Sequence, residues 1–428
     1  MRWNLFTRPW LTRLDDLLCA LLLLFLAGVL LASGLANIQT DAIDYYAIVQ
    51  RLAGDTPPIV PNLPFVEQRS PGYPLLSLPA YYALKGATFW IEPETVRVVP
   101  PAGPGDAAAR PSEQALLPPR PLLFRDVFFK DFDLAPQGAW FKWNIIAAML
   151  LTGYGLCFAG LFVSGKTLAR LYPRPVGLSL APLMVVTSMV FMHNLLNTPA
   201  YASLTVFGIS AFFTWFWVRG WQSGSARAQW AAGLLAGLLV LTRLETVLIV
   251  GVLAGALALK RQFRFLCHLL LGGLLPLALL LAYNAAQFGN ALHTGILKGN
   301  MSSLSFVPAY VLATLVEPGS GILFWSALTS LGILGLLVGP APSLKMLGWA
   351  SLALIALIAL RVPVMYSCIG QGTHVISGIT VTCPPDRAAM LQLIRFDANR
   401  YIIPLTPFAA LGLRGLLEQL SRVFWRNS

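Results

Sequence analysis

The sequence predicts an all-α membrane protein with about ten transmembrane helices in one membrane domain, residues 1–428. Of these residues, 57% are hydrophobic and 11% are charged, whereas about a quarter of the residues in a soluble domain are charged. Apolar runs near the spanning length of about 20 residues recur along the chain. Short tracts of Lys and Arg stand beside alternate runs. A soluble fold cannot hide this much apolar surface, so lipid must be the solvent for much of it.

Each predicted helix is an apolar run between polar segments. The first run has no convincing cleavage site and is interpreted as a retained helix rather than a signal peptide. No internal repeat or separate soluble domain is visible. The runs are 17–35, 143–165, 176–193, 200–218, 229–242, 244–259, 265–283, 319–339, 346–360 and 401–418.

The basic residues predict how these helices are oriented. Tracts of Lys and Arg precede the first run and follow the second, fourth, sixth, eighth and tenth. Cytoplasmic loops carry such tracts, so ten helices with both termini cytoplasmic place all of them on one side. The net charge of +12 is therefore an orientation signal, and no nucleic-acid partner is expected. The outer side then carries three large loops, at 36–142, 284–318 and 361–400.

Residues 229–259 are predicted to form either a tight hairpin of two short helices or one long tilted helix. The hairpin places Arg243 and Glu245 at its outer tip, whereas the single helix buries both charges at mid-membrane. Because a charge at that depth is costly, the hairpin is favoured. Few other ionisable residues lie inside the runs, which weighs against a transporter of lipids or solutes.

Charged residues just beyond the helices on the outer side are candidates for chemistry. Asp41 and Tyr45 follow the first run at a spacing that places them on one face of a helix. That helix is expected to be amphipathic and to lie along the membrane surface. From spacing alone, Asp41 is more readily a helix cap than a catalyst. Asp44 can face the same way, so Asp41 and Asp44 are a candidate pair for a divalent cation.

Two further outer features have more than one interpretation. Arg69 precedes a Ser-Pro-Gly turn and an apolar segment that is too short to span, so this segment is interfacial or re-entrant. The Arg69 guanidinium can bind a phosphate or pair with lipid head groups. Cys368 and Cys383 lie in the third loop, where they form a disulfide in an oxidising compartment or stay as two free thiols.

Five segments, taken in order, resemble a known family. They are the Asp41-x-x-x-Tyr45 pattern with RSPGYPLLSLPAYYAL, then GLLAGLLVLTRLETVLIV, YNAAQFGNALHTGI, EPGSGILFWSALTSLGILGL and RYIIPLTPFAALGL. Together they resemble the GT-C glycosyltransferases of the dolichyl-phosphate-mannose protein mannosyltransferase and aminoarabinose transferase type. The resemblance covers residues 17–418. It departs at Ala42, where many relatives have an acidic residue, and at Leu244, where the motif has proline.

The resemblance implies a GT-C-like fold and an inverting transfer of a sugar from a polyprenyl-phosphate carrier. In this superfamily an Asp just after the first helix is the catalytic residue. That position is Asp41, which would act as general base toward an acceptor hydroxyl or amine. Arg69 matches a basic or polar phosphate contact, and Tyr45 matches a tyrosine beside the Asp. Arg243 and Glu245 match the hairpin motif.

Further contacts to the donor are expected on the outer side. His293 and Lys298 lie in the second loop, where they can hold the donor phosphate or belong to a solvated loop. Arg395 and Arg400 flank the last helix and can bind phosphate or anchor the helix at the interface.

The expected enzyme is a hexosyl or pentosyl transferase whose acceptor is a lipid, a glycan or a protein. The composition, rich in Leu, Ala and Arg, favours a bacterial inner membrane with the active site facing the periplasm. A lipid or solute transporter and an inactive scaffold of the same fold are the alternatives.

Overall fold

The structure of the protein, a computed structural model, is predominantly α-helical with two short pairs of antiparallel strands. β1 (Trp90–Ile91) pairs with β2 (Phe141–Lys142), and β3 (Thr373–Ile376) pairs with β4 (Ile379–Thr382). The structure describes residues 9–33, 40–54, 69–86, 90–91, 141–172, 180–196, 200–292, 315–316, 321–339, 341–366, 373–376, 379–382 and 400–424.

The helices follow the predicted apolar runs closely, and two short helices precede the second run. Short 3₁₀ turns at Leu244–Thr246 and Ile403–Leu405 lead into two of them. The helices are α1 (Pro9–Ser33), α2 (Thr40–Leu52), α3 (Gly72–Ala83), α4 (Trp143–Leu171), α5 (Leu180–Thr187), α6 (Met189–Leu196), α7 (Ala202–Ser223), α8 (Ala226–Thr242), α9 (Val247–Leu259), α10 (Phe263–Phe288), α11 (Ile322–Trp325), α12 (Ala327–Val338), α13 (Pro342–Tyr366) and α14 (Thr406–Phe424).

The protein is an integral membrane protein. In the described part of the chain, four helices are long and apolar enough to cross a bilayer: Trp143–Leu171, Ala202–Ser223, Phe263–Phe288 and Pro342–Ala359. Shorter apolar helices, among them α8, α9 and α12, lie between them. The arrangement of ten spans with both termini cytoplasmic stays a prediction.

Three predicted segments differ in detail from the structure. The run 176–193 is divided at Ser188, whose hydroxyl accepts a hydrogen bond from the backbone N–H of Phe191 (3.3 Å) and so begins α6. The run 319–339 is divided at Ser326. α13 continues to Tyr366, six residues into the range predicted as the third loop. Arg361 ends the apolar run in the sequence. Because arginine is a good helix former, α13 continues past it.

The chain reverses direction at Arg243. This residue is extended (φ −146°, ψ 110°) and ends α8. α8 lies parallel to α10, because Gly233 contacts Leu269 and, one turn later, Gly237 contacts Gly273. The intervening α9 therefore runs back along the bundle and packs mainly against α13. This confirms two helices joined by a tip rather than one long helix.

Close helix contacts at small residues set the layout of the bundle. α4 and α7 meet at Gly160 and Gly208, and α12 and α14 meet at Gly332 and Gly412. Lipid provides no hydrophobic force between helices, so small residues that allow backbones to approach are favoured at such contacts. The bundle end at which α7 begins and α8 ends is called the tip end below.

We predict that Gly412→Ala destabilises the protein. A Cβ at Gly412 would overlap the carbonyl oxygen of Gly332, so α12 and α14 would have to separate. Overpacking of this kind costs about 1–3 kcal/mol. The measurement is the unfolding midpoint of the purified protein in detergent.

Gly251→Ala is the matched control, because a Cβ at Gly251 meets nothing within 4 Å. It should be neutral or stabilising, since alanine is favoured over glycine in helices. Equal midpoints for the two variants would contradict the close contact between α12 and α14.

Candidate functional site

The first turn of α2, the turn before α3 and the hairpin tip meet at the tip end. α2 begins at Thr40, which places Asp41 in its first turn, although the Asp41 side chain lies outside the described residues. Gly72, at the start of α3, contacts the end of α8 so closely that a Cβ there would lie 2.5 Å from the backbone nitrogen of Thr242. The segment that carries Arg69 is therefore held beside Arg243.

α2 is buried rather than half-exposed. Every residue from Ala42 to Gln50 is buried, whereas the sequence predicts an amphipathic helix lying along the membrane surface. The expectation of a solvated face is wrong because α3 and α4 pack around α2, and Tyr283 of α10 contacts its far half. The periodicity of the sequence reports only the polarity of the residues in α2. It carries no information about the other helices that pack over them.

An ion pair joins α2 to the turn before α3. Arg69 Nε donates to Asp44 Oδ2 at 2.9 Å. The Asp44 side chain is 4% exposed and that of Arg69 is 22% exposed. Sequence reasoning missed this pair because the partners are 25 positions apart and no local period links them.

The candidate cation site at Asp41 and Asp44 stays a prediction. Asp44 already has a guanidinium as its counter-charge. In the described part of the chain, no group of three or more His, Cys, Asp or Glu residues is placed to hold a metal ion.

Three tyrosines anchor α2 and α3 to the start of α4. The rings of Tyr45 and Tyr73 meet edge to face with centroids 5.3 Å apart. The Tyr73 hydroxyl donates to the carbonyl oxygen of Met149 (2.8 Å), and the Tyr46 hydroxyl accepts from the backbone N–H of Lys142 (2.7 Å). Burial raises the pKa of Tyr73 well above its ordinary value, with Tyr45 adding to the shift, so the hydroxyl stays a donor at neutral pH.

Two arginines share one aromatic ring at the tip end. The guanidinium carbon of Arg243 lies 4.6 Å from the centre of the Tyr401 ring, and that of Arg400 lies 5.4 Å from the same centre. Arg400 also lies 5.8 Å from the ring centre of Tyr201, at the start of α7. Such contacts stabilise a cation away from water. The tip end thus carries three arginines, Arg69, Arg243 and Arg400, of which Arg69 is paired with Asp44.

One N–H group of the Arg243 guanidinium is buried without a hydrogen-bond partner among the described residues. Arg243 is 8% exposed, and its buried Nη1 has no hydrogen-bond partner among the described residues. An unpaired buried donor lowers stability, and a bound anion would satisfy it. Glu245, the other predicted tip residue, lies in the 3₁₀ turn and is half-buried.

An apolar groove begins directly beside the hairpin tip. It lies between α8, α9 and α10 and has a volume of about 160 Å³. Leu241 and Val247, which flank the tip, line one end of it. The described lining residues are all apolar: Gly233, Ala236, Gly237, Val240, Leu241, Val247, Val250, Leu269, Leu270, Gly273, Pro276, Leu277 and Leu280.

The predicted site residues divide into two groups. Tyr45, Arg69, Arg243, Glu245 and Arg400 lie at the tip end. The donor-site role of Tyr45 stays a prediction, and its described ring contact is with Tyr73. The predicted residues outside the described part of the chain are His293, Lys298, Cys368, Cys383 and Arg395.

Comparison with known proteins shows the fold. No family model matches the chain, and no curated protein is similar to it in sequence. The crystal structure of ArnT from Cupriavidus metallidurans in the apo state aligns with a TM-score of 0.50 at 14% sequence identity. The alignment covers 95% of this chain and 61% of ArnT, so the chain spans about three fifths of that protein. The chain therefore has an ArnT-like fold, which supports the resemblance to GT-C membrane glycosyltransferases noted from the sequence.

We predict that Tyr73→Phe destabilises the protein by about 0.5–1.5 kcal/mol, because the buried hydrogen bond from the Tyr73 hydroxyl to the Met149 carbonyl is lost. The measurement is the free energy of unfolding near neutral pH, where the Tyr73 hydroxyl is protonated. Tyr82→Phe, on the same helix but 51% exposed, is the control and should change little. Equal changes in the free energy of unfolding for the two variants would show that the hydrogen bond from Tyr73 to Met149 does not anchor α3.

Proposed function

We propose that the protein is a glycosyltransferase that moves a sugar from a polyprenyl-phosphate carrier to an acceptor at the tip end. The observation that carries this proposal is that the Asp44–Arg69 pair and the two arginines on Tyr401 lie at the same end of the bundle, where an apolar groove begins beside the hairpin tip. The GT-C-like fold supports the general class of membrane glycosyltransferase.

The two halves of the proposed donor match the two parts of the site. A polyprenyl phosphate is an anion attached to a long hydrocarbon chain. The arginines offer planar forks of N–H donors that suit phosphate oxygens, and Arg243 Nη1 is a buried donor without a described partner. The groove beside the tip offers an apolar wall to the first prenyl units. The proposed further contacts are His293, Lys298 and Arg395 from the predicted outer loops.

Asp41 is proposed as the general base. It would take a proton from an acceptor hydroxyl or amine as that group attacks the anomeric carbon. The bond between this carbon and the phosphate oxygen breaks, the anomeric configuration inverts, and the phosphate leaves with the electron pair. Arginines close to that oxygen would stabilise the developing charge. The Asp44 carboxylate is enclosed and bound to Arg69, which favours Asp41 for the base.

The proposed setting is a bacterial inner membrane with the tip end facing the periplasm. This follows from the basic tracts of the sequence, which would then lie on the cytoplasmic side. The acceptor is a lipid, a glycan or a protein, and the sugar is a hexose or a pentose.

We expect Asp41→Asn to lower the rate of donor consumption by about 100-fold or more, the usual size of a general-base contribution. The assay uses purified protein, a panel of polyprenyl-phosphate sugars with candidate acceptors, and detection of released polyprenyl phosphate. Donor binding should be retained.

Asp16→Asn, which removes an exposed carboxylate from α1, is the control and should match the wild type. Equal release by wild type and Asp41→Asn would remove Asp41 from the mechanism. No release or binding with any donor would favour transport or scaffolding.

We also expect Leu277→Trp to weaken the use of long-chain donors by about tenfold in KM, because the larger side chain fills the groove. Donors with a short, soluble chain should be affected less. Leu274→Trp is the control, since Leu274 lies on the same helix with a similar exposed fraction (54%, against 45% for Leu277) but does not line the groove. Equal effects of both substitutions would place the prenyl chain elsewhere.

A further inference from the structure

The Asp44–Arg69 ion pair has an asymmetry that indicates its role. Arg69 Nε donates to Asp44 Oδ2 at 2.9 Å, a charge-assisted bond. The carboxylate is almost fully enclosed, with 4% of the side chain exposed, whereas 22% of the arginine side chain is exposed. The carboxylate is thus the fixed partner. The guanidinium is the partner that can meet a ligand from outside.

The element that carries Asp44 is rigidly held. Tyr45, the next residue, packs on Tyr73, and the Tyr46 hydroxyl accepts from the backbone of Lys142. These contacts tie α2 to both α3 and α4. A carboxylate on such a helix can define the position of the arginine that it binds.

α2 also carries Asp41, three residues before Asp44. Residues three apart in an α-helix are neighbours on its surface, about one turn from each other. Asp44, which binds the Arg69 guanidinium, and Asp41, the proposed base, are therefore about one turn apart on the same helix.

We propose that Asp44 is a positioning residue: it holds the Arg69 guanidinium where a lipid-linked phosphate binds, in register with Asp41. This inference rests on the proposed function for the identity of the ligand. Asp44 does not itself touch the donor, and it acts only through Arg69. A merely structural ion pair would change stability without changing the recognition of phosphate.

The test compares binding of polyprenyl phosphate with binding of the matching polyprenol, which lacks the phosphate. Three variants of the full-length protein in detergent are used: Asp44→Asn, Arg69→Ala and the double variant. The preference of the wild type for the phosphorylated lipid should fall by about tenfold or more in each single variant. The double variant should be no worse than Arg69→Ala, because Asp44 acts through Arg69.

Stability separates this role from a structural one. Arg69→Ala removes the guanidinium that donates to the buried Asp44 carboxylate and should lower the unfolding midpoint. Adding Asp44→Asn removes that charge, so the double variant should regain stability but not phosphate recognition. Arg51→Gln is the control, because it removes an exposed cation from the end of α2 and should leave the preference within about twofold of the wild type.

Two results would overturn the inference. One is a folded Asp44→Asn protein that keeps the wild-type preference for phosphate. The other is a further loss when Asp44→Asn is added to Arg69→Ala. Binding does not require turnover, so a wild type that prefers the phosphorylated lipid but transfers no sugar would contradict the proposed function and leave the role of Asp44 standing. A wild-type protein that binds polyprenyl phosphate and polyprenol equally well would exclude phosphate recognition at Arg69.

Discussion

The layout of the tip end depends on the reversal of the chain at Arg243. Because this residue is extended, α8 ends there and α9 runs back along the bundle. α8 and α10 can then lie in contact, while α9 packs against α13 and leaves a groove beside the tip. One backbone conformation therefore places a cation and opens an apolar groove next to it.

Burying that cation has a cost that the described contacts only partly offset. The Tyr401 ring stabilises the Arg243 guanidinium, but Nη1 keeps no hydrogen-bond partner among the described residues. Arg400 on the same ring adds a like charge. A site of this kind is more stable with an anion bound, since a ligand that binds only the folded state stabilises it. The unpaired Nη1 of Arg243 is therefore suited to the phosphate of the proposed donor.

On the other side of the site, α2 connects the candidate chemistry to the bundle. Its tyrosines pack against α3 and α4, and Asp44 binds Arg69 across the turn that precedes α3. The proposed transferase would have to hold its base and its cations in a fixed relation, because a misplaced group loses much of its effect. The proposed base Asp41 and the anchor of Arg69 lie on one helix, α2, which would fix that relation.

Local pattern in the sequence determined the membrane class, the positions of most helices and the break at Arg243. The length of an apolar run and the cost of placing a charge at mid-membrane depend on the local sequence alone. Both can therefore be assessed without a structure. Tertiary structure alone decided that α2 is buried, that Asp44 pairs with Arg69 and that Arg243 and Arg400 share Tyr401. These contacts join positions far apart in the chain, and their energies depend on which helices pack together, so no periodicity or spacing encodes them.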